Sequence, residues 1–150
     1  MKLVALIAVA VFVLACSAVA DGPAPLALGN SAVGGGKLND YTPGVEGGVG
    51  LYNIGSLIRT WGKVTYIDPA LKFFYINDGS GRDDASEHIG LRVQCDNTKL
   101  APPNTIDITS LHVNDYVAIT GISSTWHNDT TGKNYSNLLP RRQSDVQLIL

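Results

Sequence analysis

Cationic and aromatic side chains alternate with apolar ones through the middle of this sequence, and they are the residues best suited to do chemistry. Successive side chains of a strand point to opposite faces. With Ile58, Gly62 and Val64 directed inward, Arg59, Trp61, Lys63 and Thr65 point outward. Phe74 and Ile76 then join the inner face, and Phe73, Tyr75 and Asn77 the outer one. The next apolar run sends Arg92 and Gln94 outward as well. Lys63, Phe73, Tyr75, Arg92 and Gln94 thus assemble on one outer surface, and aromatics interleaved with cations stack on bases or on sugar rings. The plainer alternative is the ordinary solvent side of a half-buried sheet, and a bulge at Gly62 would reverse the register.

A second candidate surface is "SSTWHNDTTGKNYSNLLPRRQSD", residues 123–145. Segments this long in compact domains tend to be functional or disordered. Trp126, His127 and Tyr135 can flank a groove with Arg141 and Arg142 at its base. Alternatively the segment is an extended hairpin that turns at Thr130-Thr131-Gly132-Lys133 and packs on the arm or on a partner. Asn128 and Asn134 each open a glycosylation sequon, which matters only in a host that glycosylates.

"RDDASEH" brings Asp83, Asp84, Glu87 and His88 together, a weak candidate set for a divalent cation. Its spacing is not that of an EF-hand loop, and polar loops collect such residues in any case. Cys95 runs in phase with Ile89, Leu91 and Val93 and reads as a buried thiol. The chain has no nucleophile elbow, phosphate loop, H-E-x-x-H or paired cysteine motif. It reads as a non-enzyme without a cofactor.

Five runs carry strand periodicity: Leu57–Asp68, Lys72–Asn77, His88–Cys95, Tyr116–Ser123 and Val146–Leu150. Asp68-Pro69-Ala70 turns the first into the second, and Asp78-Gly79-Ser80-Gly81 ends the second. Five short strands with little helix predict an all-β chain closed as a five-stranded Greek-key barrel, since a sandwich usually takes about seven strands. Gly62 and Gly121 sit at corresponding places, where a barrel turns a corner. Ahead of the barrel, residues 21–56 hold ten glycines and three prolines. Apolar residues are spaced through that stretch, from Leu26 to Ile54. It is either a flexible linker or an extended Gly-rich arm that docks on the domain or on a neighbouring copy.

These residues resemble the OB-fold superfamily: Gly62 with Val64, the Asp78/Ser80/Gly81 turn, Ile89/Leu91/Val93, then Val117-Ala118-Ile119-Thr120-Gly121. The narrower likeness is to OB-type modules of exported bacterial proteins. It covers roughly residues 50–150 and implies ligand binding on the outer face of strands one to three, while leaving the ligand open. Asn114 stands where glycine is commoner, and asparagine tolerates the left-handed conformation.

"MKLVALIAVAVFVLACSAVA" has a basic start, a short apolar core and a small-residue end, the pattern of a secretory signal cleaved after Ala20. Lipidation at Cys16 is the competing route, and neither leaves a transmembrane segment in the mature chain. Without residues 1–20 the chain holds 10 basic and 13 acidic residues, a formal net charge of −3. General nucleic-acid binders are usually basic. The expected function is therefore a secreted or cell-surface binding module for an oligosaccharide or a protein, ahead of single-stranded nucleic acid. A structural subunit that forms homo-oligomers through residues 21–56 is the alternative, by strand addition.

Overall fold

The computed structural model describes residues 22–97 and 104–149; the expected export signal, Cys16 included, lies outside them. The strands in chain order are β1 (Leu26–Ala27), β2 (Leu57–Asp68), β3 (Phe73–Asn77), β4 (Leu91–Gln94), β5 (Asp96–Asn97), β6 (Asn104–Thr105), β7 (Tyr116–Asn128), β8 (Lys133–Leu139) and β9 (Val146–Leu148). Two short 3-10 turns, Asn30–Ala32 and Gln143–Asp145, complete the described secondary structure. The chain is all-β, as its periodicity requires.

Seven strands make one sheet in the order β1-β2-β3-β4-β8-β7-β9, and β7 also returns to β2. Five of them, β2, β3, β4, β8 and β7, form a partial ring. It is not the clean closed barrel that was expected, because β4 and β8 share only the parallel pairs Arg92↔Asn137 and Val93↔Leu138. The ring's last strand is also not the expected one. Val146–Leu148 lies outside it as an extra strand beside β7, and the ring is completed by β8 from the 123–145 segment. That segment is the extended hairpin: β7 runs on to Asn128, and the chain turns and comes back from Lys133. Its buried positions include Ser123, Asn128, Ser136 and Asn137, so polar residues occupy places where apolar periodicity would have announced a strand.

β2 and β7 are long because each serves two neighbours. Leu57–Lys63 of β2 pairs with β7, and Lys63–Asp68 pairs with β3. Tyr116–Ile122 of β7 pairs with β2, and Ile122–Asn128 with β8. Each change of partner falls beside a glycine. A Cβ on Gly62 would lie 2.9 Å from Asn77 N, and one on Gly121 would lie 2.8 Å from the Leu139 carbonyl. The bulge itself is one turn of the pleat further on, between Val64 and Tyr66, so the register upstream of it is not reversed.

Ile58, Val64, Phe74, Ile76, Leu91, Val93, Val117, Ile119 and Leu138 fill the interior of the ring, with Ile106 and Ile108 from the connection after β6. Cys95 is buried among them, and burial pushes its thiol up to about 12, so it is not a nucleophile at neutral pH.

Residues 22–56 fold back on their own sheet. Leu26 and Ala27 pair in parallel with Ile58 and Arg59, and Val33 is fully buried in the core. Two asparagines fasten the arm. Asn30 Nδ2 donates to the Ile76 carbonyl at 3.0 Å, and its Oδ1 accepts from Thr60 Oγ1 at 2.8 Å. Asn53 Oδ1 accepts from Gly34 N and from Ser123 Oγ, at 2.8 and 2.9 Å. Thr60 and Ser123 are buried hydroxyls of the two long strands, which would lack these partners if the arm were absent. Substituting Asn30→Ala should therefore cost about 2–4 kcal/mol. In urea unfolding the midpoint falls with the slope unchanged, whereas a dangling linker would leave the midpoint where it was.

Candidate functional site

The surface expected from alternation exists, but most of it is covered. Phe73, Tyr75 and Arg92 do lie on the outer side of β3 and β4, yet all three are buried. The loop 82–90 lies over Tyr75. Tyr75 Oη donates to Asp84 Oδ2 at 2.6 Å and meets Ser86 Oγ at 3.0 Å, and Asp84 is itself buried. Burial, then the hydrogen bond to Asp84, raises the Tyr75 phenol far above its ordinary range. The Arg92 guanidinium sits 4.0 Å from the Phe73 ring centre and 4.8 Å from that of Trp126. Burial lowers its proton affinity, and Gln94 Oε1 accepts from its Nη2 at 2.8 Å. Gln94 in turn donates to the Leu71 carbonyl. Such stacking contributes about 1–2 kcal/mol when desolvated and leaves Arg92 no open side.

Trp126 and Tyr135 are cross-strand partners in this packing, with ring centres 6.4 Å apart, and Tyr135 is buried. His127 points the other way by alternation, where its Nδ1 meets Asn134 Oδ1 at 3.0 Å. The expected groove between Trp126, His127 and Tyr135 is thus a packed hairpin. Asn128 of the first sequon is buried too, donating to the Asp84 carbonyl at 3.1 Å.

Among the described residues no three of His, Cys, Asp and Glu converge as metal ligands. The weak candidates have separate structural duties. Asp83 Oδ1 accepts from Ala85 N, Asp84 accepts from Tyr75 and from the Ser86 hydroxyl, and His88 stacks on Tyr66 with ring centres 3.5 Å apart. Glu87 has a left-handed backbone, φ 70°, within this tight loop.

Arg141 and Arg142 converge on buried Asp145. Arg141 donates from its backbone N and from Nε to Oδ2 and from Nη2 to Oδ1, at 2.9–3.2 Å. Arg142 Nε lies 3.7 Å from Oδ1. Burial alone would raise the Asp145 carboxyl, but the hydrogen bonds and charge of Arg141, with the charge of Arg142, hold it below its ordinary value.

The open part of the outer surface lies elsewhere, on β2 and β7. Trp61 is 51% exposed and Tyr116 is 44% exposed. Register sets Lys63 directly across from Tyr116, and Trp61 is two positions along β2 on the same face. Beside them a groove of about 510 Å3 is walled by Lys63, Thr65, Asn77, Asp78 and Asn114. The turn after β3 positions two of these. Asn77 Oδ1 accepts from Gly79 N and Gly81 N, which leaves its amide NH2 as the group available to a ligand. Asp78 accepts from Asn30 N and Ser80 N, and despite some burial these bonds hold its carboxyl below the ordinary value. Asn114, at φ 84°, closes the opposite wall by donating its N–H to the Val64 carbonyl at 2.9 Å. Of these residues the alternation identified Lys63 as a ligand contact. It also points Trp61 outward, which is a usable sign of a ligand contact. Tyr116 and Asn114 carried no local sign, because only the β2/β7 register brings them to Lys63.

Two consequences can be measured. Arg92 works as a plate between two rings, so Arg92→Met, which keeps the length, should lose about 1 kcal/mol or less, while Arg92→Ala should lose about 2–4 kcal/mol. Thermal or urea unfolding of the two variants separates them. The depressed Asp145 contributes stability that is fully present above its unfolded value of about 4 and is lost as pH falls through its lower folded value. Asp145→Asn should therefore weaken the fold at pH 7 and flatten the acid limb of a stability–pH curve below about pH 4.

The chain matches no protein-family model and no curated protein, and its function has to be read from its own residues.

Proposed function

We propose that this protein is an exported, non-catalytic binding module of OB type, and that the groove beside Trp61 and Tyr116 takes an extended sugar chain. The observation that carries this reading is the exposure of two aromatic rings on one sheet face, next to a groove walled by amide, carboxylate and ammonium groups. A sugar ring presents C–H faces to an aromatic plane and hydroxyls around its rim, so it calls for both kinds of wall at once. The groove is open and shallow, which suits a segment of a chain better than an enclosed small molecule. Its Asp78 disfavours closely spaced phosphates, and the net charge of the protein does so too.

The partly open five-stranded ring with one parallel pair supports the OB-type reading. OB-folds usually take ligands across their second and third strands, which are β3 and β4 here. That face is closed by the loop 82–90 at Tyr75 and by Trp126 at Arg92, so the ligand is assigned to β2 and β7. Residues 1–20 carry the export reading, which puts the module where surface glycans are found.

Calorimetric titration with soluble oligosaccharides, neutral and acidic, tests the proposal. Trp61→Ala should weaken binding about tenfold and Tyr116→Ala about three- to tenfold, stacking being worth about 0.5–1.5 kcal/mol per ring. Tyr41→Ala, at a residue 97% exposed and outside the groove, should change nothing. Unchanged affinity in Trp61→Ala, or no binding of any oligosaccharide, overturns the reading.

A further inference from the structure

The outer row of β2 does not end at Trp61. Arg59, Trp61 and Lys63 follow one another at two-residue steps, so about 13 Å of strand carries cation, aromatic ring and cation in line. At the Arg59 end the row enters a second groove, of about 580 Å3, one wall of which is the backbone stretch 22–25. Trp61 lines the first groove and Arg59 the second, which makes the two neighbours along a single strand.

The second groove has an excess of fixed positive charge. Arg59 Nη1 donates to Thr120 Oγ1 at 3.1 Å and Nη2 to Gln147 Oε1 at 2.9 Å. Both acceptors are neutral, and among the described residues Arg59 enters no ion pair. The guanidinium is therefore held in place with its charge uncompensated, and a planar fork so held is preorganised for an oxyanion. Across the groove, Arg141 engages both oxygens of Asp145. Arg142, 72% exposed in its side chain, is left with a long 3.7 Å approach to an oxygen already in use. Three guanidinium groups thus face one carboxylate.

We infer that the second groove binds the anionic substituent of an acidic polysaccharide, a carboxylate or sulfate ester held by Arg59 and Arg142, while the sugar ring next to it lies on Trp61. This rests on the sugar-chain reading above and names the class of sugar. Lys63, beyond Trp61 on the same row, meets a second anionic group of the same chain. A polymer with one charge per one or two sugar units matches cations set on either side of an aromatic ring. A single-stranded nucleic acid would instead stack successive bases on several aromatic rings, and the outer row of β2 sets a single ring between its cations.

The test compares three probes on the intact protein: a hexuronic-acid oligomer, a neutral hexose oligomer of equal length, and single-stranded DNA of similar contour. The expected result is that the hexuronate binds at least about tenfold tighter than the neutral oligomer and loses that advantage when salt rises to about 0.5 M. Arg59→Gln and Arg142→Gln should each remove about five- to tenfold from hexuronate affinity while changing the neutral oligomer less than about twofold. Both substitutions are at exposed side chains, and coincident unfolding curves with the unsubstituted protein verify the fold. Equal binding of both oligomers, unmoved by Arg59→Gln but lost in Trp61→Ala, overturns this inference and leaves the sugar-binding reading standing. DNA binding tighter than hexuronate and lost in Arg59→Gln overturns it in favour of nucleic acid. Failure of both oligomers to bind overturns the two readings together.

Discussion

The geometry of this protein turns on two strands that each have to satisfy two neighbours. β2 and β7 pair with each other over their first halves and then part, β2 to β3 and β7 to β8. A strand can change partners only where its backbone bends into close contact with the next strand, and the Cβ-free positions Gly62 and Gly121 admit that approach. Everything of functional interest on the outer surface follows from this pairing. The β2/β7 register puts Lys63 opposite Tyr116 and Arg59 opposite Thr120. The same register aligns both grooves along β2.

Bending two strands exposes a problem that the rest of the chain solves. Their inner rows are not wholly apolar: Thr60 and Ser123 are buried in them. A buried hydroxyl without a partner is costly, and Asn30 and Asn53 supply those partners from outside the ring. The glycine-rich stretch is therefore part of the domain's hydrogen-bond network. Arg82 adds to it by reaching the Ser31 carbonyl at 2.7 Å, so the loop that covers β3 is joined to the arm as well. Arm, ring and covering loop are held together by polar contacts as much as by apolar burial.

The covered cluster around Arg92 and the open strip around Trp61 are made of the same residue types. Each sets cations among aromatic rings on the outer face of the sheet. What separates them is the loop 82–90, which binds Tyr75 of β3, Tyr66 in the second half of β2 and Asn128 at the end of β7, and leaves Trp61 and Tyr116 exposed. Composition alone does not distinguish a packed cation–aromatic stack from a receptive one. Phe73, Tyr75 and Arg92 were expected as ligand contacts because they lie on the right side of their strands; they became packing because the loop joining those strands binds Tyr75 and the β7/β8 hairpin brings Trp126 against Arg92.

Alternation in the chain was sufficient to set the all-β class, β2 and β3, the inward and outward rows of β2, and the buried state of Cys95. Each of these is decided by period-two burial over neighbouring residues, which a local pattern records. The partner-changing glycines were legible for the same reason, since a glycine within a strand has a local explanation. The hairpin turning at Thr130–Lys133 was legible as one of two alternatives, but not the place of β8 in the ring, because its buried positions include Ser136 and Asn137 and carry little apolar signal. The place of Val146–Leu148 outside the ring, the docking of the arm and the meeting of Tyr116 and Asn114 with Lys63 were decided by tertiary structure alone. These depend on which strand pairs with which and in what register, and pairing energy is gained between residues far apart in the chain. No local pattern can carry that information.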